Sequence, residues 1–330
     1  MRMRKLASIR RIGDIRPIPG ADAIECARVD GWEVVVKKGE FQTGDLAVYI
    51  EIDAWVPHAL VPFLTRGDKI AVYEQVPGAR LRTMTLRGQL SQGLLLPLGN
   101  LSGEAGTDVT EALGVLKWEM PIPAQLAGQV RGAFPSRVPR TEQERAQNLA
   151  ESEILAHCPY EVTEKLDGAS CTFHLDSEAG FHVCSRNLDL CRDENNTLWK
   201  IALEHAVEAR MAGQLLLDTA IQGEVIGPGI QGNHYNVRTN QFHVFDIYRA
   251  GAGEYLPPDE RVRIARDLGL PHAPVLAAKQ DCATIAEALA LARGLSALID
   301  KPREGVVLKS LEGQRYSFKA INNDFLLKKD

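Results

Sequence analysis

The sequence predicts an α+β chain of two parts, a small N-terminal β-barrel followed by a larger domain that mixes strands with helices. Length is one reason: 330 residues are too many for one small core and suit two domains. The first third of the chain is another, because its short apolar runs alternate with Gly and Asp turn signals, the pattern of a small barrel. A stretch rich in Pro, Gly and Ala from Leu113 to Pro139, including Pro121-Ile122-Pro123, then reads as a boundary. The division expected is an N-terminal module over 1–120, a linker over 121–139 and a second domain over 140–330.

The opening residues are basic, with Arg2, Arg4, Lys5, Arg10 and Arg11 interleaved by Leu6, Ile9, Ile12 and Ile15. This fits a solvated edge strand, or a strand whose outer face meets phosphates. Pro17 to Asp22 reads as a loop. Alternating runs at Ile24–Val29 and Trp32–Val36 flank the hairpin signal Asp30-Gly31. Leu46–Ile50 is a continuous apolar strand, and further strands are expected at Ile70–Tyr73, Arg80–Met84 and Gly93–Leu96. The strand meander with its Gly39-Glu40-Phe41-Gln42-Thr43-Gly44-Asp45 turn is similar to an oligonucleotide-binding (OB) barrel.

In the second domain, Thr141-Glu142-Gln143-Glu144 has the form of a capping box opening a short helix through Asn148 to Leu155. Strands are expected at Tyr160–Thr163, Cys171–Leu175, Gly180–Cys184, Ala220–Gly227 and Phe242–Tyr248. The longest helix is expected over Asp193–Met211, with Asn195-Asn196 able to cap its start. Further helices are expected over Asp259–Leu268 and Cys282–Leu298. Gly227 to His234 is a glycine-rich loop without the lysine and hydroxyl residue of a P-loop. Two strands, Gly305–Lys309 and Arg315–Lys319, and a short basic helix after Asn322-Asn323 close the chain.

Composition narrows the partners. With 45% hydrophobic and 25% charged residues, a packed core is expected and disorder is not. The net charge of −5 does not announce a nucleic-acid partner, so any such contact needs a local basic patch. No window approaches a membrane span and no secretory signal opens the chain, which points to the cytoplasm. The six cysteines, Cys26, Cys158, Cys171, Cys184, Cys191 and Cys282, form no CxxC pair and read as reduced thiols. His182, Cys184 and Cys191 do not have the spacing of a standard zinc site.

Chemistry concentrates at Glu164-Lys165-Leu166-Asp167-Gly168, a tight glycine-bearing element between two expected strands. A lysine between strands and beside two acids is partly desolvated. Burial and nearby cations lower a lysine pKa, and the neutral amine is a nucleophile. A surface hairpin with a solvated Lys–Asp pair shares this local pattern, so the motif alone decides nothing. However, Lys165, Arg186, Glu224, Asp246, Glu304, Lys309 and Lys319 all lie within or at the ends of apolar strands. Charges there are paired or bind something. Salt bridges across a sheet are the plain reading; seven in one domain favour a site for a polyanion and a metal.

The same residues carry a resemblance. Lys165-Leu166-Asp167-Gly168 resembles motif I of the covalent nucleotidyltransferases, which include DNA ligases, RNA ligases and mRNA capping enzymes. Ser185-Arg186-Asn187 resembles motif Ia, Gln222-Gly223-Glu224 motif III, and Phe242 to Ile247 motif IIIa of the nick-sealing RNA ligases. Glu304 to Lys309 resembles motif IV and Tyr316 to Lys319 motif V, all in the family's order from about Pro135 onward. DNA ligases and capping enzymes continue past motif V into another barrel, whereas this sequence runs only to Asp330 and has its barrel in front. That order, the Asp22–Asp53 stretch, and Phe134-Pro135 with Thr141, Glu144, Arg145, Gln147 and Asn148 resemble the Deinococcus radiodurans-type RNA ligases. Two positions depart from related RNA ligases: Ser170, where Asn is frequent near the 5′-phosphate, and Ser317, where a second motif V lysine is frequent.

The resemblance implies an OB-fold module ahead of an ATP-grasp-like nucleotidyltransferase domain of antiparallel sheets with flanking helices. It implies an ATP-dependent RNA ligase, a monomer needing Mg2+ or Mn2+, acting on nicked duplex RNA or an RNA/DNA hybrid. Lys165 would be the nucleophile. Glu164, Asp167, Gly168, Arg186, Glu224, Phe245, Lys309 and Lys319 would bind the nucleotide, with Phe245 stacked on adenine and Lys309 and Lys319 at the phosphates. Glu304 and Asp246 would hold the metal, and Ser170 would meet the 5′-phosphate. The two lysines would also depress the pKa of Lys165. A GTP-dependent capping-type guanylyltransferase and a non-catalytic RNA-binding protein are the alternatives. The missing C-terminal barrel speaks against the first, and retention of every charged motif residue against the second.

Overall fold

The computed structural model describes residues 5–64, 70–118, 129–313 and 315–329; Arg2, Arg4 and positions 121–128 of the expected linker lie outside these. The chain divides into two compact units, Met1–Pro121 with Leu326–Asp330, and Ile122–Phe325.

The first unit holds β1 (Ala7–Arg11), β2 (Asp14–Pro17), β3 (Ile24–Val29), β4 (Trp32–Lys37), β5 (Leu46–Ile50), β6 (Ala54–Pro57), β7 (Ala71–Tyr73), β8 (Val76–Arg80), β9 (Thr83–Leu86), β10 (Gln89–Gln92), β11 (Leu94–Pro97) and β12 (Leu116–Lys117). They pair as β1-β5-β11, β2-β3-β4, β12-β6-β8-β7 and β10-β9. β5 is unbroken in hydrophobicity because both its faces are covered. Val48 and Ile50 join one core with Leu6, Ile9 and Val56, while Ala47 and Tyr49 join another with Trp32 and Val34. The strand expected at Arg80–Met84 is two strands: β8 pairs with β6 and β9 with β10, so the chain changes sheets at Leu81-Arg82. β8 contains Pro77-Gly78. Gly78 is a close approach, since a Cβ there would stand 2.2 Å from the Val56 carbonyl oxygen.

The second unit contains two sheets. One is seven-stranded and antiparallel, in the order β13 (Val130–Ala133), β18 (Leu188–Leu190), β17 (Gly180–Cys184), β16 (Ala169–Asp176), β19 (Thr219–Ile226), β20 (Gln241–Arg249), β21 (Glu254–Tyr255). The other is five-stranded, in the order β14 (Glu144–Arg145), β24 (Ser317–Ile321), β23 (Gly305–Ser310), β15 (Tyr160–Lys165), β22 (Val275–Gln280). Within it only β14 runs parallel to its neighbour. The helices are α1 (Glu151–Ala156), α2 (Thr197–Glu204), α3 (Val207–Gly213), α4 (Pro258–Asp267), α5 (Ile285–Ala292) and α6 (Asn323–Lys329).

Alternation along the strands decides which face is core. In the five-stranded sheet Tyr160, Val162, Val306, Leu308, Phe318 and Ala320 pack with Ile154 of α1 and Ala288 and Ala292 of α5. In the seven-stranded sheet Cys171, Phe173 and Leu175 pack with Trp199, Met211 and Ile264 of α2, α3 and α4. Each sheet therefore turns one face to its helices; the opposite face carries the ionisable residues, although in the seven-stranded sheet Phe134 and Val138 cover part of it at Cys184 and Ala220.

Three helical expectations change. Asp193–Met211 is broken into α2 and α3 at Ala206, which takes a left-handed conformation with φ of 47°. Thr141 caps no helix: Glu144-Arg145 is strand β14, and α1 begins only at Glu151. The true capping box is Thr284 with Glu287, which starts α5 later and ends it earlier than the Cys282–Leu298 reading. β13 occupies part of the expected linker. No helix among the described residues is long and apolar enough to cross a membrane.

Asn196 accepts from the backbone N–H groups of Leu198 and Trp199 at the start of α2, whereas among the described residues the side chain of Asn195 bonds to Asp193 and caps no helix N–H. Asn196→Ala should cost about 1 kcal/mol and Asn195→Ala far less. Equal losses in urea denaturation would contradict this assignment of the cap.

Candidate active site

The site grows from the crossing between the two sheets. Lys165 ends β15 in the five-stranded sheet and Ala169 opens β16 in the seven-stranded one, so Leu166-Asp167-Gly168 is a crossover and not a hairpin. Gly168 is forced by proximity: a Cβ there would lie 2.2 Å from the Val225 carbonyl oxygen and 2.8 Å from Glu224 Cγ. Leu166 is buried beside Ile226 and Tyr235, which anchors the turn. The Asp167 N–H donates to Tyr235 Oη at 2.8 Å.

Register then collects the polar residues. Lys165 lies opposite Gly305, Thr163 opposite Val307 and Glu161 opposite Lys309, while Val307 and Lys309 face Lys319 and Ser317 on β24. Lys165, Lys309 and Lys319 thus project from one face, the face away from the helix-packed core. On the seven-stranded sheet Ser170 lies opposite Glu224, and Gln222 opposite Asp246.

Two charge clusters result. In the first, Lys165 Nζ donates to Glu304 Oε1 at 2.6 Å. Burial alone would lower the pKa of this ammonium, but Glu304, Glu224 and Asp167 outweigh it and the net direction is upward. The expectation that Lys309 and Lys319 depress it is therefore corrected: its effective neighbours are acids. Glu224 bears the other side of this crowding, pushed up to about 8 by burial and by Glu304 and Asp167, against the pull of Lys165. Glu304 Oε2 is buried without a hydrogen-bond partner among the described residues.

In the second cluster, Asp246 is met by Lys309 Nζ at 3.1 Å, Arg315 Nη2 at 2.7 Å and Arg261 Nη1 at 3.8 Å. Burial would raise this carboxyl, but the three cations hold it below the usual range. Lys309 is 3% exposed and its Nζ also donates to the Phe245 carbonyl at 2.5 Å. Burial lowers its pKa to about 8. Phe245 is half-buried, with Lys309 Nζ 5.9 Å from its ring centroid.

The remaining expected residues sit around these clusters. Glu164 is 2% exposed; its Oε2 accepts from the Ala297 N–H at 2.7 Å, and its Oε1 has no partner among the described residues. Arg186, in the turn between β17 and β18, reaches Glu142 at 3.2 Å. Ser170 Oγ and Thr141 Oγ1 are 2.8 Å apart, and Ser317 Oγ donates to Gln143 Oε1 at 2.7 Å. Segment 139–145 therefore touches Ser170 and motif Ia, III and V positions, because Gln222 also donates to the Pro139 carbonyl.

Could a metal sit here? No three His, Cys, Asp or Glu side chains among the described residues gather as a metal cluster, and this includes His182, Cys184 and Cys191. Glu304 and Glu224 nonetheless offer carboxylate oxygen beside Lys165, and Glu304 Oε2 is unfilled. That donor set fits a hard divalent cation whose other ligands are phosphate and water. Asp246 falls in the second cluster, occupied by cations. Reading the sequence missed Tyr235, Glu161, Arg261 and Arg315. A signal existed for Arg261, which shares the apolar stripe of α4 with Ile264, Ala265 and Leu268.

Between its ordinary value of 4.5 and about 8, Glu224 keeps in the folded protein a proton that the unfolded chain releases. Its contribution to stability therefore falls as pH rises through that window. Glu224→Gln should gain thermal stability over the parent protein, with a gap that widens from about pH 5 to about pH 8. A gap independent of pH would contradict the raised pKa.

Comparison with known proteins agrees with this geometry. An OB-fold domain family matches residues 6–98, and the RNA ligase family matches residues 159–321. No curated protein sequence matches the chain. Among solved structures, Naegleria gruberi RNA ligase with PPi is 41% identical with a TM-score of 0.88, covering 98% of both chains. A lysine-to-alanine variant of the same enzyme with ATP and Mn is 41% identical with a TM-score of 0.90, covering 99% of this chain and 100% of that one. A glutamate-to-alanine variant with AMP and Mn gives the same identity, TM-score and coverage. An N-terminal OB-fold domain, a sheet-rich nucleotidyltransferase domain and 41% identity along nearly the whole length together mean that this chain belongs to the RNA ligase family.

Proposed function

We propose that the protein is an ATP-dependent, nick-sealing RNA ligase of the Deinococcus radiodurans type. It acts as a monomer on nicked duplex RNA or RNA/DNA hybrids, through a lysyl-AMP and an AMP-capped 5′ end. The observation that carries this is Lys165 Nζ, held 2.6 Å from Glu304 Oε1 at the crossover between two sheets. In the first step Nζ attacks the α-phosphorus of ATP; a P–N bond forms and the bond to pyrophosphate breaks. The AMP then passes to the RNA 5′-phosphate, and the 3′-hydroxyl attacks that phosphate and expels AMP. Support comes from the Naegleria enzyme, whose structures are with ATP, AMP and PPi, the nucleotide consumed in the first of these steps and the products released in the last and the first.

The residues divide this work. Lys165 must lose a proton before it attacks, and Glu304 Oε1 is the acceptor already hydrogen-bonded to it. Glu304, with Glu224 close by, would hold a Mg2+ or Mn2+, whose positive charge beside the amine would favour its neutral form. Lys319, on the same face, suits the charge that develops on the phosphate oxygens. Phe245 offers its half-exposed ring to adenine, and the unfilled Glu164 Oε1 suits an adenine N–H. Arg186, which bonds to Glu142, suits the nucleotide, and Ser170, beside Thr141, suits the 5′-phosphate.

Incubation with α-labelled ATP and a divalent cation should place an acid-labile, alkali-stable adenylate on the protein. Lys165→Ala and Lys165→Arg should each abolish it, the latter because a guanidinium stays protonated. Label surviving Lys165→Ala would sink the assignment.

The N-terminal module, over 1–120, is proposed to grip the substrate. Lys5, Arg10 and Arg11 on or beside β1 give it local basic character on an acidic chain. Its removal must stop before β13, a strand of the catalytic sheet. Truncation to residue 121 should impair sealing of a 5′-phosphate nick more than sealing of a pre-adenylylated nick, which needs only an aligned 3′-hydroxyl. Equal losses of rate on the two substrates would show that the module acts in every step.

A further inference from the structure

The most buried charged side chain among the described residues of the second unit lies away from the Lys165 cluster, on a helix that carries none of the family's motifs. Arg261 of α4 is 1% exposed, and each of its side-chain nitrogens has a separate job. Nη2 donates to both Glu161 oxygens, at 2.7 and 2.6 Å. Nε donates to His272 Nε2 at 2.9 Å. Nη1 stands 3.8 Å from Asp246 Oδ1. His272 is fixed as an acceptor toward Arg261, because its Nδ1 lies 2.5 Å from the Ala273 carbonyl and must donate there. Burial and the neighbouring guanidinium lower its pKa to about 4, so it stays neutral.

The topology gives these contacts a purpose. Glu161 is on β15, the strand that ends in Lys165, and Asp246 is on β20, next to Phe245. The two strands belong to different sheets, the two walls of the site. Glu161 also lies directly opposite Lys309, which donates to the Phe245 carbonyl and to Asp246. One guanidinium therefore ties the nucleophile's strand to the ring's strand.

We propose that Arg261 is a positioning residue for the nucleotide: by joining Glu161 to Asp246 it sets the spacing between Lys165 and the Phe245 ring, and with it the affinity for the purine nucleotide. This rests on the ligase reading above. Arg261 touches neither nucleotide nor reacting atoms and acts through Asp246 and Lys309. A lysine cannot replace it, since one ammonium cannot serve three partners held by three nitrogens. If Arg261 were only a structural ion pair, its loss would lower the folded fraction and leave the affinity of the folded molecules unchanged.

The test is Lys165 adenylylation by α-labelled ATP with a divalent cation, measured against ATP concentration below each variant's unfolding transition. The variants are Arg261→Lys and the double variant Glu161→Gln with Arg261→Met. The double variant removes one charge of each sign and leaves no buried carboxylate stranded, which guards against simple misfolding. KM does not depend on how many molecules are folded, so it separates the two roles. The expected result is a KM for ATP raised about tenfold or more in both variants, with the maximal labelling rate changed less than about twofold. An unchanged KM in either variant, with any loss confined to the maximal rate, overturns the proposal. Absence of label on the parent protein would instead refute the ligase reading.

Discussion

Three residues separate β15 from β16, and in that distance the chain must leave one sheet and enter another. The remainder of the catalytic unit is arranged around this crossing. It brings Gly168 so close to the Val225 carbonyl that no side chain fits, which locks β16 beside β19 and so sets Glu224 near Lys165. β23 pairs along the whole length of β15 and delivers Glu304 to the amine. A lysine at this point is reached from both sheets at once, which is what a nucleophile needs if its nucleotide is to be gripped from two sides.

Electrostatics in the site is asymmetric. Around Lys165 the acids prevail: Glu304, Glu224 and Asp167 raise the pKa of the amine, while burial, with Glu304 and Asp167, pushes Glu224 toward protonation. Around Asp246 the cations prevail, with Lys309, Arg315 and Arg261 against Asp246 and Glu161. Buried ion networks of this kind are poor sources of stability, since desolvation offsets most of the attraction. What they supply instead is a fixed geometry for both clusters.

Much of this was legible in the sequence, and the exceptions have physical causes. The strands around Lys165, Glu224, Asp246 and Lys309 were readable because ionisable residues interrupt strongly apolar runs, which is costly unless they are used. The break between α2 and α3 was not readable, because Ala206 takes a left-handed conformation that its side chain does not advertise. Thr141 and Thr284 begin similar four-residue signals, and only tertiary context decides that the first bonds to Ser170 and the second caps α5. The direction of the Lys165 pKa was misjudged because proximity in sequence does not reveal which charges fold together. Glu304 is 139 positions away and dominates the acids around the amine.

The strict alternation of β15, β23 and β24 has a consequence for how such a sequence can vary in length. Val306, Leu308, Phe318 and Ala320 face the core, while the positions between them face the site. A single residue gained or lost within Gly305–Ser310 would turn Lys309 inward and bring Leu308 to the nucleotide side, scrambling both clusters in one event. The Gly227–Asn240 connection between β19 and β20 carries no such parity. Insertions and deletions among descendants of this chain are therefore expected to collect in connections of that kind and to be purged from the three strands, even where each substitution within a strand is tolerated.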